Sequence, residues 1–206
     1  IFFFFPNYAL ANPFDGGGGT FVYDSAKASV NDGGMVINGW IRQADDVKVE
    51  YFGAKGDHTT DDYPAIDKAA QYCAINSKEL LFADKVYYLS KEIDIDGFAA
   101  KFKAIRWKGT FNGTAVSAGY SWWTGNQGTT LLTKSSSVLT VNFNHGINES
   151  MSINNIAFVD DDSRYPTNTG HHAIQVKKGN VATFPENSRY ITNLQFNNVA
   201  IYGYIN

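Results

Sequence analysis

From Ser77 onward the chain is a succession of short apolar runs with no amphipathic helix between them. They are Leu80 to Phe82, Val86 to Leu89, Ile93 to Ile95, Phe102 to Trp107, Thr130 to Leu132, Val138 to Phe143, Ile153 to Val159, His172 to Val176, Ile191 to Phe196 and Val199 to Tyr202. The segments between them are rich in Gly, Asn, Ser and Thr, the residues of turns. A sheet built from βαβ units is therefore excluded, and an all-β architecture remains. An internal repeat chooses among the all-β options. Ile153-Asn154-Asn155-Ile156-Ala157-Phe158 matches Ile191-Thr192-Asn193-Leu194-Gln195-Phe196 at the two flanking apolar positions, the Asn and the Phe. Repeated short rungs favour a solenoid, in which inward residues of successive coils stack into one column and an Asn at each bend ties its side chain to neighbouring backbone. This reading places Ile153 and Ile191 in one interior column, with Asn155 and Asn193 at equivalent bends. A sandwich is the alternative, but its strands call for more symmetrical hairpin turns.

Composition narrows the function classes. Only 18% of the 206 residues are charged, 15% are aromatic, and the formal net charge is −3. That balance offers no electrostatic footprint for a nucleic-acid backbone, so nucleic acid is not expected as a partner. The apolar run Ile1 to Phe5 stops at Pro6, far short of the roughly 20 residues that span a bilayer, and no membrane insertion is expected. The single cysteine, Cys73, has no internal partner for a disulfide, and no Cys/His cluster has metal-ligand spacing, so neither a metal nor a cofactor is expected. The first residue is Ile1 rather than Met, and an alternating apolar pattern still runs from Asn197 to Asn206, as in an excerpt of a longer polypeptide.

Ahead of the rungs, the glycine clusters Gly16 to Gly19 and Asp32-Gly33-Gly34 are followed by Thr20-Phe21-Val22-Tyr23 and Met35-Val36-Ile37. These read as a small hairpin; a phosphate-binding loop would need a helix directly after the glycines. Val47 to Asp57 alternates as one strand and then turns at Gly53 and Gly56. One helix follows. Asp61-Asp62 is positioned as its N-cap, Pro64 sits in the first turn, and Ile66, Ala69, Ala70 and Cys73 fall on one apolar face. Cys73 on that face is a packing residue rather than a nucleophile.

The stretch Phe52-Gly53-Ala54-Lys55-Gly56-Asp57, two residues, Thr60-Asp61-Asp62, two residues, Ala65-Ile66 resembles the signature that opens the right-handed parallel β-helix of the pectate-lyase-like superfamily. In physical terms Gly53, Gly56, Asp57, Asp61 and Asp62 are architectural. The glycines turn the chain back, and the acids cap a helix that closes the open end of the solenoid. The turn at Ala83-Asp84-Lys85 departs from the family's usual Pro and Gly. Residues 15 to 39, with Gly16 to Gly19, Phe21-Val22-Tyr23-Asp24 and Asn31-Asp32-Gly33-Gly34, resemble the segment ahead of the β-helix in bacteriophage tailspikes. Residues 1–46 are thus expected to form a β-rich neck, and 47–206 the capping strand and helix with the first coils of the solenoid.

The tailspike resemblance implies a homotrimer on the virion tail, joined to phage tail or baseplate proteins and acting on a host surface polysaccharide. It also implies cleavage of that polysaccharide by the full-length protein, with catalytic residues beyond this segment. Hydrolysis needs two carboxyl groups roughly 5 to 9.5 Å apart, and elimination needs a base near a sugar C5 proton. The acidic run Asp160, Asp161 and Asp162 is one candidate, because adjacent carboxylates raise one another's pKa. A solvated loop between rungs, or a cation held by the three acids, would account for it too. His172 is the other candidate, though it also opens an apolar run. Tyr120, Trp122 and Trp123 lie in a long irregular stretch and are candidates for stacking on sugar faces, for covering the core, or for a trimer contact. A non-catalytic anchoring piece of a virion fibre is the rival function, and a secreted, monomeric pectinase-like enzyme the third.

Overall fold

The computed structural model describes residues 2–5, 16–96, 104–112, 128–133, 137–143, 150–160, 172–178 and 193–202. Its elements in chain order are β1 (Phe2–Phe5), β2 (Gly19–Tyr23), β3 (Val36–Ile37), β4 (Trp40–Arg42), β5 (Val47–Lys48), β6 (Asp57–Asp61), α1 (Tyr63–Asn76), β7 (Leu80–Leu81), β8 (Val86–Leu89), β9 (Ile93–Asp96), β10 (Ala104–Lys108), β11 (Thr130–Thr133), β12 (Leu139–Phe143), β13 (Ser150–Asp160), β14 (Ile174–Lys178) and β15 (Leu194–Tyr202). Beyond the neck every ladder is parallel. Successive coils therefore lie on one another in the expected parallel β-helix.

Strand pairing gives the solenoid three faces. The first runs β5, β7, β10, the first half of β13 and the first half of β15. The second runs β6, β8, β11 and the second halves of the same two strands. The third is β9, β12 and β14. The corner between the first two faces falls inside β13 at Asn155, whose φ of 55° is the left-handed conformation that Asn tolerates better than most residues. Inward columns follow directly: Leu80, Trp107, Ile153 and Phe196 on the first face, Tyr87, Leu131, Phe158 and Ile201 on the second. The inner coils bury these residues completely or nearly so, while Phe196 and Ile201 in β15 are 46% and 55% exposed.

The register differs from the one read in the sequence. Ile153 pairs with Phe196 and Asn154 with Asn197, so the coils stack Ile153-Asn154-Asn155-Ile156 on Phe196-Asn197-Asn198-Val199. Ile191 lies outside the described residues, and the Ile153 to Ile191 alignment is not the one the strands adopt. The expected strands at Ile191 to Phe196 and Val199 to Tyr202 are in fact one strand, β15, bent at Asn198 with φ of 51°.

Two local expectations are also corrected. In the neck, β4 lies between β2 and β3 and pairs antiparallel with both, so the two glycine-led runs do not pair with each other. Val47 to Asp57 is not one strand either: β5 is two residues long, and Val49–Phe52 form a 3-10 turn ended by Gly53 at φ of 103°. All four residues of that turn are buried, Glu50 included, so the apolar-polar alternation of the sequence does not mark a buried and an exposed side there.

The helix does close the solenoid. Ile66, Ala69, Ala70 and Cys73 are buried in the same core as Leu80, Ile93, Ile95, Ile105 and Trp107. Burying Ile66 alone contributes roughly 2 to 3 kcal/mol. Burial also pushes the Cys73 thiol up to about 12, which leaves it un-ionised and fits packing rather than nucleophilic use.

Arg42 gathers the glycine-led segments ahead of β5 and touches the 3-10 turn through Tyr51. Its guanidinium is buried, stacks over the rings of Phe21 and Tyr51, and donates to the carbonyls of Gly34 (3.0 Å), Gly18 (2.6 Å) and Gly17 (2.8 Å). A planar fork with several donors suits this converging set of carbonyls; a lysine could not reproduce it.

Candidate functional site

The five motif residues do architectural work, with roles redistributed among the acids. Gly56, with φ of 61°, lies where an added Cβ would meet Lys85 and Tyr87 within 3 Å. Asp62 occupies the N-cap position, yet its side chain makes no capping bond. Instead it is buried and accepts the backbone N–H groups of Lys55 (2.6 Å) and Gly56 (2.9 Å), holding the preceding turn. Burial lifts its pKa to about 6 against the opposing effect of those two amides. The helix N-terminus is served by Asp61, whose Oδ1 accepts from Tyr63 N (3.1 Å) and Ser90 N (3.0 Å) while Oδ2 accepts from Ser90 Oγ (2.6 Å). Asp57 accepts from the N–H and hydroxyl groups of Thr59 and Thr60, and those bonds hold it well below the ordinary carboxylate range.

The sugar-stacking candidates Tyr120, Trp122 and Trp123, with Asp161 and Asp162, lie outside the described residues. Asp160 is the last residue of β13, buried, and paired in register with Thr133 of β11. By two-residue alternation it stands on the same side of the strand as the interior residue Phe158. It therefore belongs to the rung rather than to the solvated loop that the sequence suggested. His172 precedes β14; its backbone N–H donates to Ser137 Oγ (2.9 Å) and its carbonyl accepts from Val138 N (3.1 Å). Asp160 and His172 thus sit on different faces of the solenoid.

The surface that the fold does organise is the outside of the first face. Two columns of outward side chains cross it. One runs Lys48, Leu81, Lys108, Asn154 and Asn197, and the other Arg106, Ser152 and Gln195. Parallel strands space the residues of a column about 4.8 Å apart, and the two columns about 7 Å apart. The polar groups are pre-arranged by one another: Asn154 Nδ2 donates to Ser152 Oγ (2.9 Å), Asn197 Nδ2 to Asn154 Oδ1 (2.8 Å), and Gln195 Nε2 to Asn193 Oδ1 (2.8 Å). Arg106 donates one N–H to the carbonyl of Ser77 at the C-terminus of α1 (3.2 Å), where a cation meets the negative end of the helix dipole. Sequence reasoning missed this face, although a signal was present. Ile105-Arg106-Trp107-Lys108, Met151-Ser152-Ile153-Asn154 and Leu194-Gln195-Phe196-Asn197 each alternate apolar and polar residues, marking one buried and one wetted side.

Among the described residues there is no cluster of three His, Cys, Asp or Glu side chains able to hold a metal ion, and no helix long and apolar enough to cross a membrane.

Fold and face together define a parallel β-helix with a capped end and a regular polar flank. No protein-family model and no curated protein matches the chain. Solved structures do. An Acinetobacter phage tailspike protein is similar over 97% of this chain and 32% of its own, with 18% identity and a TM-score of 0.54. WceF of Pantoea stewartii, described as a glycan biofilm modifying enzyme with a bacteriophage tailspike-like parallel β-helix fold, is similar over 92% of this chain and 27% of its own, with 20% identity and a TM-score of 0.57. The tailspike protein of Acinetobacter baumannii phage AM24 is similar over 97% of this chain and 30% of its own, with 12% identity and a TM-score of 0.50. At such identities the likeness establishes the tailspike-type fold. The chain spans about a third or less of the length of these structures.

Proposed function

We propose that this chain is part of a tailspike-like protein that binds a polysaccharide of the bacterial surface and acts at the virion tail. The carrying observation is the first face of the solenoid, whose outward hydroxyl, carboxamide and cationic groups stand in straight columns at strand spacing. A polymer of hydroxyl-bearing rings is matched by a row of hydrogen-bonding groups at regular spacing, because each of the coils β10, β13 and β15 presents a polar or cationic side chain at the same two outward positions. The tailspike-type fold of the compared structures, one of them described as glycan-modifying, supports the reading. The full-length protein is read as a homotrimeric depolymerase, with the segment described above starting the β-helix and positioning it against the tail.

The test is incubation of the full-length protein with purified capsular, O-antigen and exopolysaccharides, scoring retention on the protein together with new reducing ends or the ultraviolet absorbance of unsaturated sugars. Binding to one of them supports the reading, and chain cleavage supports the depolymerase part of it. Failure to bind any would overturn it. Light scattering separates the trimer from a monomeric, secreted pectinase-like enzyme.

A further inference from the structure

Resting on that polysaccharide-binding reading, we infer that the first face takes an anionic polysaccharide, and that Arg106 and Lys108 hold its carboxylates. The two side chains are exposed neighbours on the outer side of β10, two residues apart, flanked by the buried Ile105 and Trp107 that fix the strand beneath them. Neither forms an ion pair among the described residues, where the pairs found are Lys48 with Asp46 and Lys85 with Glu50. The exposed Glu79, one residue before Leu80 and so in line with Arg106, stands on the same side; against this single acid, Arg106 and Lys108 leave the outer side of β10 with an excess of positive charge in a chain of net charge −3. Arg106 donates one N–H to the carbonyl at the end of α1, and a guanidinium has further N–H donors with which to meet a carboxylate side-on. Lys108 stands beside it as a second, more mobile charge.

The neighbouring rungs supply neutral partners. Asn154 is next to Lys108 in its column and Ser152 next to Arg106. The following rung brings Asn197 and Gln195. Across the face the order is thus two cations, then two tied amide and hydroxyl rows. That order matches a carboxylate-bearing sugar at β10 followed along the solenoid axis by rings offering hydroxyl groups. A nucleic acid would call for cations on successive rungs, and β13 and β15 place none on the described part of this face.

Binding of the intact chain would be measured by calorimetry with polygalacturonate, alginate, hyaluronate and polysialic acid as carboxylated probes. Dextran serves as a neutral probe, and a short DNA duplex as an anionic polymer of another kind. At least one carboxylated polymer is expected to bind more tightly than dextran or DNA. R106Q/K108Q should weaken it by about tenfold or more, since charge-assisted bonds are lost; K108R should stay within about threefold, and R106K, which keeps the charge but not the side-on fork, should fall between the two. Lys108→Gln alone, which leaves the Ser77 bond intact, should show part of the loss with an unchanged melting temperature. The inference is overturned if none of the four carboxylated polymers binds, if dextran or DNA binds as well as they do, or if R106Q/K108Q binds like the native chain. A bacterial polysaccharide that binds while the inference fails in any of these ways would leave the polysaccharide reading standing.

Discussion

Asn198 Nδ2 donates to Asn155 Oδ1 at 3.1 Å across two coils, and both residues hold left-handed backbone, φ 51° and 55°. Asn198 Nδ2 also reaches the Phe111 carbonyl at 2.6 Å, while the Asn155 carbonyl accepts from Phe111 N at 2.9 Å. Three coils are thereby tied at one corner, where the sheet ladder is interrupted and its backbone groups need other partners. Asn155→Ala should therefore cost about 2 kcal/mol, from the left-handed penalty of an alanine and the lost side-chain bond. Asn155→Gly relieves the first of these and should cost less. Urea unfolding of the two variants would check the order; equal losses would mean the bond, not the backbone, dominates.

Ile66→Asp places a carboxylate where α1 covers the open end of the solenoid, at a side chain with no exposed surface. An unpaired buried charge there should cost several kcal/mol and lower the thermal midpoint sharply. An unchanged melt would show that α1 does not cap the core.

Arg42→Lys should destabilise the packing of residues 16–42 by roughly 3 kcal/mol, since lysine cannot serve the three carbonyls of Gly17, Gly18 and Gly34 from one plane. Limited proteolysis would show earlier cleavage near the glycines at 16–19 in the variant. Retention of the native digestion pattern would refute the keystone role of the guanidinium.

The buried Asp62 gives the cap a pH dependence of definite sign. Its pKa, about 6 in the folded chain, lies above the ordinary carboxylate value, so the folded state binds the proton more tightly than the unfolded one. The stabilisation from this group is fully present below about pH 4 and is lost as pH rises through 6. Asp62→Asn should flatten that part of the stability profile, measured by thermal melts between pH 4 and 7. An equally steep slope in the variant would assign the dependence to another group.

The sequence alone carried the elements whose causes are local. The helix could be read because Ile66, Ala69, Ala70 and Cys73 recur at helical spacing, and the absence of other such patterns left only strands. Gly53 and Gly56 announced turns because few other residues adopt their backbone. Register was beyond reach for a physical reason: Asn193 and Asn198 both take left-handed backbone, φ 64° and 51°, so local preference cannot choose between them. Only the stacking of Phe196 on Ile153 and of Asn198 on Asn155 selects the coil repeat, and loops of unequal length hide that repeat in the chain. The same holds for the acids. Sequence placed Asp62 at a helix start, but the approach of the Lys55-Gly56 turn decided that its carboxylate would serve that turn instead. The row formed by Arg106, Ser152 and Gln195 exists only once three coils are stacked, since contacts between residues more than 40 positions apart are made by tertiary packing and by nothing nearer in the chain.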